Sequence, residues 1–128
     1  MATTRISAAE WEVMRVLWKA GRPMTSRAII EALDDNSAWQ PKTIRTLVNR
    51  LTDKGVLARE ESGKALTFRP TVAEAECIRD ESRTFLNRFF DGGLTPMLAH
   101  FLENEEVSRE ELDALRQLLD EKAEGSER

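Results

Sequence analysis

The 128-residue sequence predicts a mainly α protein with one small β-hairpin. Helical apolar spacing recurs through most of the chain, while residues 56–69 alternate with the period of a half-buried strand pair. The charge balance also reverses at Pro70. Residues 1–70 carry 12 Lys and Arg against 8 Asp and Glu, a balance of +4, and residues 71–128 carry 7 against 15, a balance of −8. The reversal marks an expected boundary between a domain of residues 1–70 and another of residues 71–128. A basic half joined to an acidic half suits one selective polyanion-binding surface rather than general polyanion binding.

The first helix opens at Ser7-Ala8-Ala9-Glu10, a capping box in which Ser7 bonds the Glu10 amide and Glu10 reaches back, with Ile6 and Trp11 as its hydrophobic staple. Trp11, Val13, Met14, Val16, Leu17 and Trp18 carry it to about Lys19, and the tryptophans read as core rather than as a ligand box. Ala20-Gly21-Arg22-Pro23 turns the chain. Thr25 or Ser26 caps a shorter helix that directs Ala28, Ile29, Ala32 and Leu33 inward. Asp34-Asp35-Asn36-Ser37 has turn chemistry.

The most informative stretch is 40–69. Ile44, Leu47, Val48 and Leu51 fall at i, i+3, i+4 and i+7, one face of a helix that starts at Pro41 and stops before Gly55. Lys42, Thr46 and Asn49 lie opposite, with Arg45 and Arg50 on the shoulders and Thr43 at the margin. Cations mixed with short hydrogen-bonding side chains suit phosphates and base edges in a major groove. Trp39, just ahead of this helix, is counted with these DNA-binding candidates. Strands over 56–60 and 65–69 follow, turned by Ser62-Gly63-Lys64, with Leu57, Leu66 and Phe68 expected inward and Arg59, Thr67 and Arg69 outward. Lys64 is the tip, placed to reach a backbone or a minor groove. Three helices and a hairpin in this order are the winged form of the helix-turn-helix, with the third helix as reader.

A capping box at Thr71–Glu74 opens a helix to about Phe90, with a seam of Ile78, Ser82, Phe85, Leu86 and Phe89. Asp91-Gly92-Gly93 breaks it, and Thr95-Pro96 restarts a short helix bearing Met97, Leu98, Phe101 and Leu102. Ser108–Glu111, with Val107 and Leu112 as staple, opens the last helix, lined by Leu112, Leu115, Leu118 and Leu119, ahead of a polar, frayed tail after Lys122. Three helices in 58 residues do not readily bury so many large apolar groups alone. The expected arrangement is a three-helix dimerisation domain. Its candidate contacts are Ile78, Phe85, Leu86 and Phe89 on the first helix and Met97, Leu98, Phe101 and Leu102 on the second. Leu112, Leu115 and Leu119 supply the third. A twofold dimer would set two reading helices about one DNA turn apart, or a multiple of it.

Composition narrows the function classes. No apolar run approaches the roughly 20 residues that span a bilayer, and the N-terminus lacks a signal-peptide core, so a cytoplasmic protein without membrane insertion is expected. Cys77 is the single cysteine and His100 the single histidine, which excludes an intrachain disulfide and a Cys/His zinc site. No cofactor or metal is expected. Cys77 lies mid-helix among carboxylates that raise a thiol pKa, and His100 has no Ser or Cys partner at a recognisable spacing, so catalysis is not expected.

Three stretches resemble the penicillinase and methicillin-resistance repressor family, which also contains copper-responsive repressors. Trp39-Gln40-Pro41-Lys42-Thr43-Ile44-Arg45-Thr46-Leu47 is similar to the family pattern W-x-P-K-T-[IV]-x-T that leads into its reading helix. Residues 82–92, SRTFLNRFFDG, resemble the dimer-domain run ending in a helix-breaking glycine, and Phe101-Leu102-Glu103-Asn104 the segment before the last helix. The likeness runs from about Ile6 to Glu121. It implies a homodimeric repressor on a palindromic double-stranded DNA operator of TACA/TGTA type. In the β-lactam-responsive members a membrane sensor protease, acting through an intermediate, triggers cleavage between an Asn and a Phe. The aligned bond here is His100-Phe101, which lacks the Asn. The copper-responsive members carry a C-x-C motif near the C-terminus, and this chain has no cysteine after Cys77. The alternative to a repressor is a winged-helix module for protein–protein contact, which explains the fold but leaves the polar stripe of the third helix without a use.

Overall fold

The computed structural model describes residues 5–34 and 39–126. They form α1 (Ala8–Ala20), β1 (Met24–Thr25), α2 (Ser26–Asp34), α3 (Pro41–Asp53), β2 (Leu57–Ser62), β3 (Ala65–Pro70), α4 (Glu74–Phe89), α5 (Leu94–Asn104) and α6 (Arg109–Ser126). The mainly α class with a small β element is as expected. Most of the turn expected at Asp34–Ser37 lies outside the described residues. By packing, the chain divides into two units, Met1–Ser82 and Arg83–Arg128.

In the first unit each helix end has a local cause. Both halves of the Ser7–Glu10 capping box form, at 2.8 and 3.2 Å. Gly21 ends α1 with a φ of 67°, a conformation that costs a residue with a Cβ. Thr25, not Ser26, caps α2 by accepting the Ala28 amide at 3.1 Å. Pro41 occupies the first turn of α3. The same helix closes with two crossed bonds, Val56 N–H to the Leu51 carbonyl and Gly55 N–H to that of Thr52, both at 3.0 Å, the Schellman arrangement.

The core consists of Val13, Met14 and Leu17 from α1, Ile29 and Leu33 from α2, Ile44, Leu47, Val48 and Leu51 from α3, with Ile6, Val56, Leu57, Phe68 and Cys77. Trp11, Val16, Trp18 and Trp39 pack on its margin. Ala32, expected inward, is exposed, because the inward face of the short α2 is filled by Ile29 and Leu33.

The sheet has a strand that pattern reading omits. Two-residue β1 pairs antiparallel with β3, Met24 against Phe68 and Thr25 against Thr67, giving the order β1-β3-β2. Two residues are too few to show alternation. The register of β2 on β3 also corrects the wing. Arg59 lies opposite Phe68 and Glu61 opposite Leu66, so Arg59 shares the Phe68 face rather than that of Thr67 and Arg69. Leu66, expected inward, is 43% exposed. It sits one residue from the Gly63-Lys64 turn, beyond the reach of the core.

The capping box expected at Thr71 does not form in that role. Its hydroxyl donates to the carbonyls of Gly55 and Val56, at 2.6 and 3.0 Å, and α4 begins only at Glu74. The start of α4 belongs to the first unit, because Cys77 is buried in its core. Packing therefore divides the chain after Ser82, whereas charge divides it at Pro70.

In the second unit the expected glycine break follows Phe89. Asp91 and Gly92 take φ of 51° and 79°, and Gly93 N–H returns to the Phe90 carbonyl at 2.9 Å. Gly93 then caps α5, ahead of the Thr95 position expected. Ser108 accepts the Glu111 amide at 3.1 Å at the start of α6, and that helix runs on to Ser126, past the point where a frayed tail was expected. No side chain of α5 or α6 is buried within the single chain.

Candidate nucleic-acid interface

The α3 helix is divided as its sequence implies. Its four apolar side chains are buried, and Lys42, Thr43, Arg45, Thr46, Asn49 and Arg50 are all exposed. At 100° per residue these six cover an arc of roughly 160°. Among the described residues no carboxylate pairs with Lys42, Arg45 or Arg50. Their charge is therefore available to phosphates, and exposure keeps its desolvation cost small.

Thr46 is more constrained than a free surface threonine. Its hydroxyl donates to the Lys42 carbonyl one turn back, at 3.0 Å. With its proton so used, the side chain presents a methyl group and an acceptor lone pair outward, a combination suited to a thymine methyl and a base amino group. Trp39 is half-buried against the core margin, so its ring seats the chain just ahead of α3.

The wing presents Lys64 at the two-residue loop between Ser62 and Ala65, where Gly63 takes a φ of 65°. Glycine at the first loop position suits the turn that matches strand twist. Lys64 and Arg59 are exposed and make no ion pair among the described residues. Arg69 is different: its guanidinium pairs with Glu60, which removes it as an open cation. The structure thus places the α3 candidates on one helix face and Lys64 on the hairpin tip, all within the first unit.

Sequence reasoning missed a contact behind this face. Glu10 of α1 is 1% exposed, yet Lys54, at the C-cap of α3, reaches its Oε1 at 2.5 Å. The same ammonium donates to the Arg5 carbonyl at 3.0 Å. Burial pushes the Glu10 carboxyl up, but hydrogen bonds with Lys54 and Ser7 and the Lys54 charge outweigh burial and hold it below its ordinary value. The capping box gave Glu10 a sufficient local role, so nothing in the sequence pointed to Lys54.

The C-terminal candidates fall on exposed or half-buried positions. Ile78, Phe85, Phe89, Phe101, Leu102 and Leu119 are exposed, and Leu86, Met97, Leu98, Leu112 and Leu115 are half-buried. Phe85, Phe89, Phe90, His100 and Phe101 line an open groove of about 410 Å³ in the second unit. The Phe90 ring centroid lies 5.7 Å from His100 and 6.4 Å from Phe101. The His100-Phe101 bond lies inside α5, and Asn104 donates to the His100 carbonyl at 2.8 Å. Cys77 is buried, and burial, followed by the charges of Asp80, Glu76 and Glu81, raises its thiol pKa, the opposite of nucleophile activation. Among the described residues no three His, Cys, Asp or Glu side chains are placed to hold a metal.

A basic, hydrogen-bonding helix face backed by a three-helix core and flanked by a cationic hairpin defines a winged-helix protein of the DNA-reading class. A family profile described as penicillinase repressor matches residues 6–121. The penicillinase repressor of Bacillus licheniformis is 42% identical over 117 residues, which cover 91% of each chain. The methicillin resistance regulatory protein MecI of Staphylococcus aureus (strain N315) is 36% identical over 94% of this chain and 97% of its own. The solution structure of the Bacillus licheniformis BlaI monomeric form in complex with the blaP half-operator superposes with a TM-score of 0.52 at 36% identity, covering 58% of this chain and 89% of that one. The chain belongs to the penicillinase repressor family, and it is a repressor rather than an enzyme.

Proposed function

We propose that this repressor works as a homodimer on a palindromic DNA operator, with α3 reading the major groove and Lys64 of the wing contacting the adjacent backbone. The observation that carries the proposal is the two-faced α3, whose apolar side is buried in the core while all six polar candidates stand exposed. A module built only for protein contact would have no use for three cations, two threonines and an amide at that spacing. The BlaI relative, solved in complex with a half-operator, supports DNA binding as the role of this domain.

The dimer is proposed from the C-terminal surface. Phe85 and Phe89 on α4, Phe101 and Leu102 on α5, and Leu118 and Leu119 on α6 are exposed, and clustered exposed apolar side chains mark interaction surfaces. A second copy would cover them and would bring two α3 helices to a twofold site. Release by a membrane sensor protease, through cleavage at His100-Phe101, is proposed on the family resemblance and on the exposure of both residues. The helical backbone around that bond would have to unwind locally before it fits an extended protease cleft. No described helix is long and apolar enough to cross a membrane, and the proposed site of action is cytoplasmic.

Selection of duplexes from a random pool by the full-length protein tests the reading. Enrichment of an inverted repeat of TACA/TGTA type, bound at two chains per duplex, is expected. Recovery of unselected sequence at equal affinity would overturn it.

A further inference from the structure

The Glu10–Lys54 pair presents a puzzle of energetics. An ion pair on a buried carboxylate seldom contributes more to stability than apolar side chains of the same volume, because the carboxylate gives up its hydration; the Lys54 side chain, 31% exposed, keeps part of its own. Here Glu10 is 1% exposed and its second oxygen has no hydrogen-bond partner among the described residues. The core around it is otherwise apolar. What the pair does have is geometry. Lys54 is the C-cap of α3, its backbone N–H bonded to the Arg50 carbonyl at 2.9 Å. Glu10 sits in the first turn of α1, its Oε1 also accepting the Ser7 amide at 2.8 Å. The Lys54 ammonium completes a three-point clamp by donating to the Arg5 carbonyl.

We infer that Glu10 and Lys54 are positioning residues for DNA recognition, fixing the axial placement of α3 against the start of α1 so that the exposed face meets the base edges in register. Apolar contacts at Leu47, Val48 and Leu51 hold α3 to the core, but dispersion and burial are non-directional and tolerate a small slide or rotation. A Lys54 ammonium held at once by the Glu10 carboxylate and the Arg5 carbonyl, on a residue whose backbone N–H is bonded to Arg50, narrows that slide. Bidentate base contacts require placement finer than phosphate contacts do, because phosphates are met by flexible Lys and Arg side chains. Loss of the pair therefore affects discrimination before it affects general DNA affinity. This inference rests on the assignment of α3 as the reading helix.

The test compares wild type, Glu10→Leu/Lys54→Met and Thr46→Ala on two duplexes: one enriched from a random pool by the wild-type protein, and the same duplex with its sequence scrambled. The double variant replaces both charges by apolar groups of similar length; relief of the carboxylate's desolvation offsets the lost bonds to Ser7 and Arg5, so it should remain folded with a cooperative melt. Its preference for the enriched duplex should fall by roughly tenfold, as for a lost base contact, while binding to the scrambled duplex and its salt dependence stay as in wild type. An unchanged preference in the double variant, with a reduced one in Thr46→Ala, overturns the clamp and leaves the reading helix standing. Unchanged preference in both variants overturns the reading helix itself, and the clamp with it. Should the double variant not fold, Glu10→Gln, which keeps the side-chain shape and removes the charge, is scored by the same ratio.

Discussion

The indole N–H of Trp18, in the last turn of α1, donates to the carbonyl of Val72 at 3.0 Å, across 54 residues of sequence. With the Thr71 hydroxyl on the Gly55 and Val56 carbonyls and Cys77 in the core, it ties the segment after the wing back onto the winged helix. That segment carries acidic charge, yet its packing belongs to the basic half.

A chain ending at Pro70 should accordingly be less stable than one ending at Ser82. Loss of the Cys77 side chain from the core and of the Trp18–Val72 hydrogen bond exposes apolar surface, a cost of about 2–4 kcal/mol. Urea midpoints of the two fragments measure it. Equal midpoints would place Val72 and Cys77 outside the cooperative unit.

The 1–82 fragment should sediment as a monomer, and the full chain as a dimer. Joining two half-site contacts raises avidity by roughly 100-fold or more, so the fragment should bind a full palindrome correspondingly less tightly. Phe89→Ala and Phe101→Ala in the full chain should shift the equilibrium in the same direction, by about 2–4 kcal/mol each if both rings are covered by a partner. A dimeric fragment, or variants that dimerise like wild type, would remove this surface from the interface.

On α3, replacing a group that reads bases should cost about 1–3 kcal/mol on the selected duplex and little on random DNA. Thr46→Ala and Asn49→Ala should behave so. Lys42→Ala and Arg50→Ala should instead weaken binding to every sequence and flatten the logarithmic salt dependence by about one unit. Equal affinity for all four variants would take α3 out of the reading role.

Acid should destabilise the first unit through Glu10. Its native pKa lies below the ordinary glutamate value, so the native state binds that proton less readily than the unfolded chain. The stabilisation is complete above the unfolded pKa of about 4.3 and is lost as pH falls through the lower native value. Glu10→Gln should therefore be less stable than wild type at pH 7, by about 2 kcal/mol, and the difference should shrink toward pH 3. Urea unfolding at both pH values checks the sign; a gap that widens in acid would contradict it.

Cys77 should resist alkylation in the native protein at pH 8. Its thiol is buried, and burial with three nearby carboxylates keeps it protonated. Maleimide labelling should track unfolding in a urea series, with no reaction ahead of the transition.

The elements were legible wherever the signal was local. The Ser7–Glu10 box, the Pro41 start of α3, its Gly55 stop and its division into a buried and an exposed face all follow from contacts within one or two turns. The polar candidates on α3 needed only helical spacing. The sequence was less informative where one backbone chooses between partners. Thr71 has the spacing of a cap, but the open carbonyls of Gly55 and Val56 drew its hydroxyl across the fold. Leu66 has the alternation of an inward residue, but the helices end before they cover it.

By itself, then, the sequence determined the order of helices and hairpin, the reading face and the family likeness. Each is set by periodicity and short-range capping chemistry that a linear chain records. Tertiary structure alone decided that β1 joins the sheet, that Arg59 shares the Phe68 face, that the first unit extends to Ser82, and that Lys54 closes on Glu10. Those four depend on which surfaces meet after collapse. The buried Glu10 carboxylate meets its partner 44 residues away, where the end of α3 packs on the start of α1, and no local pattern encodes that distance.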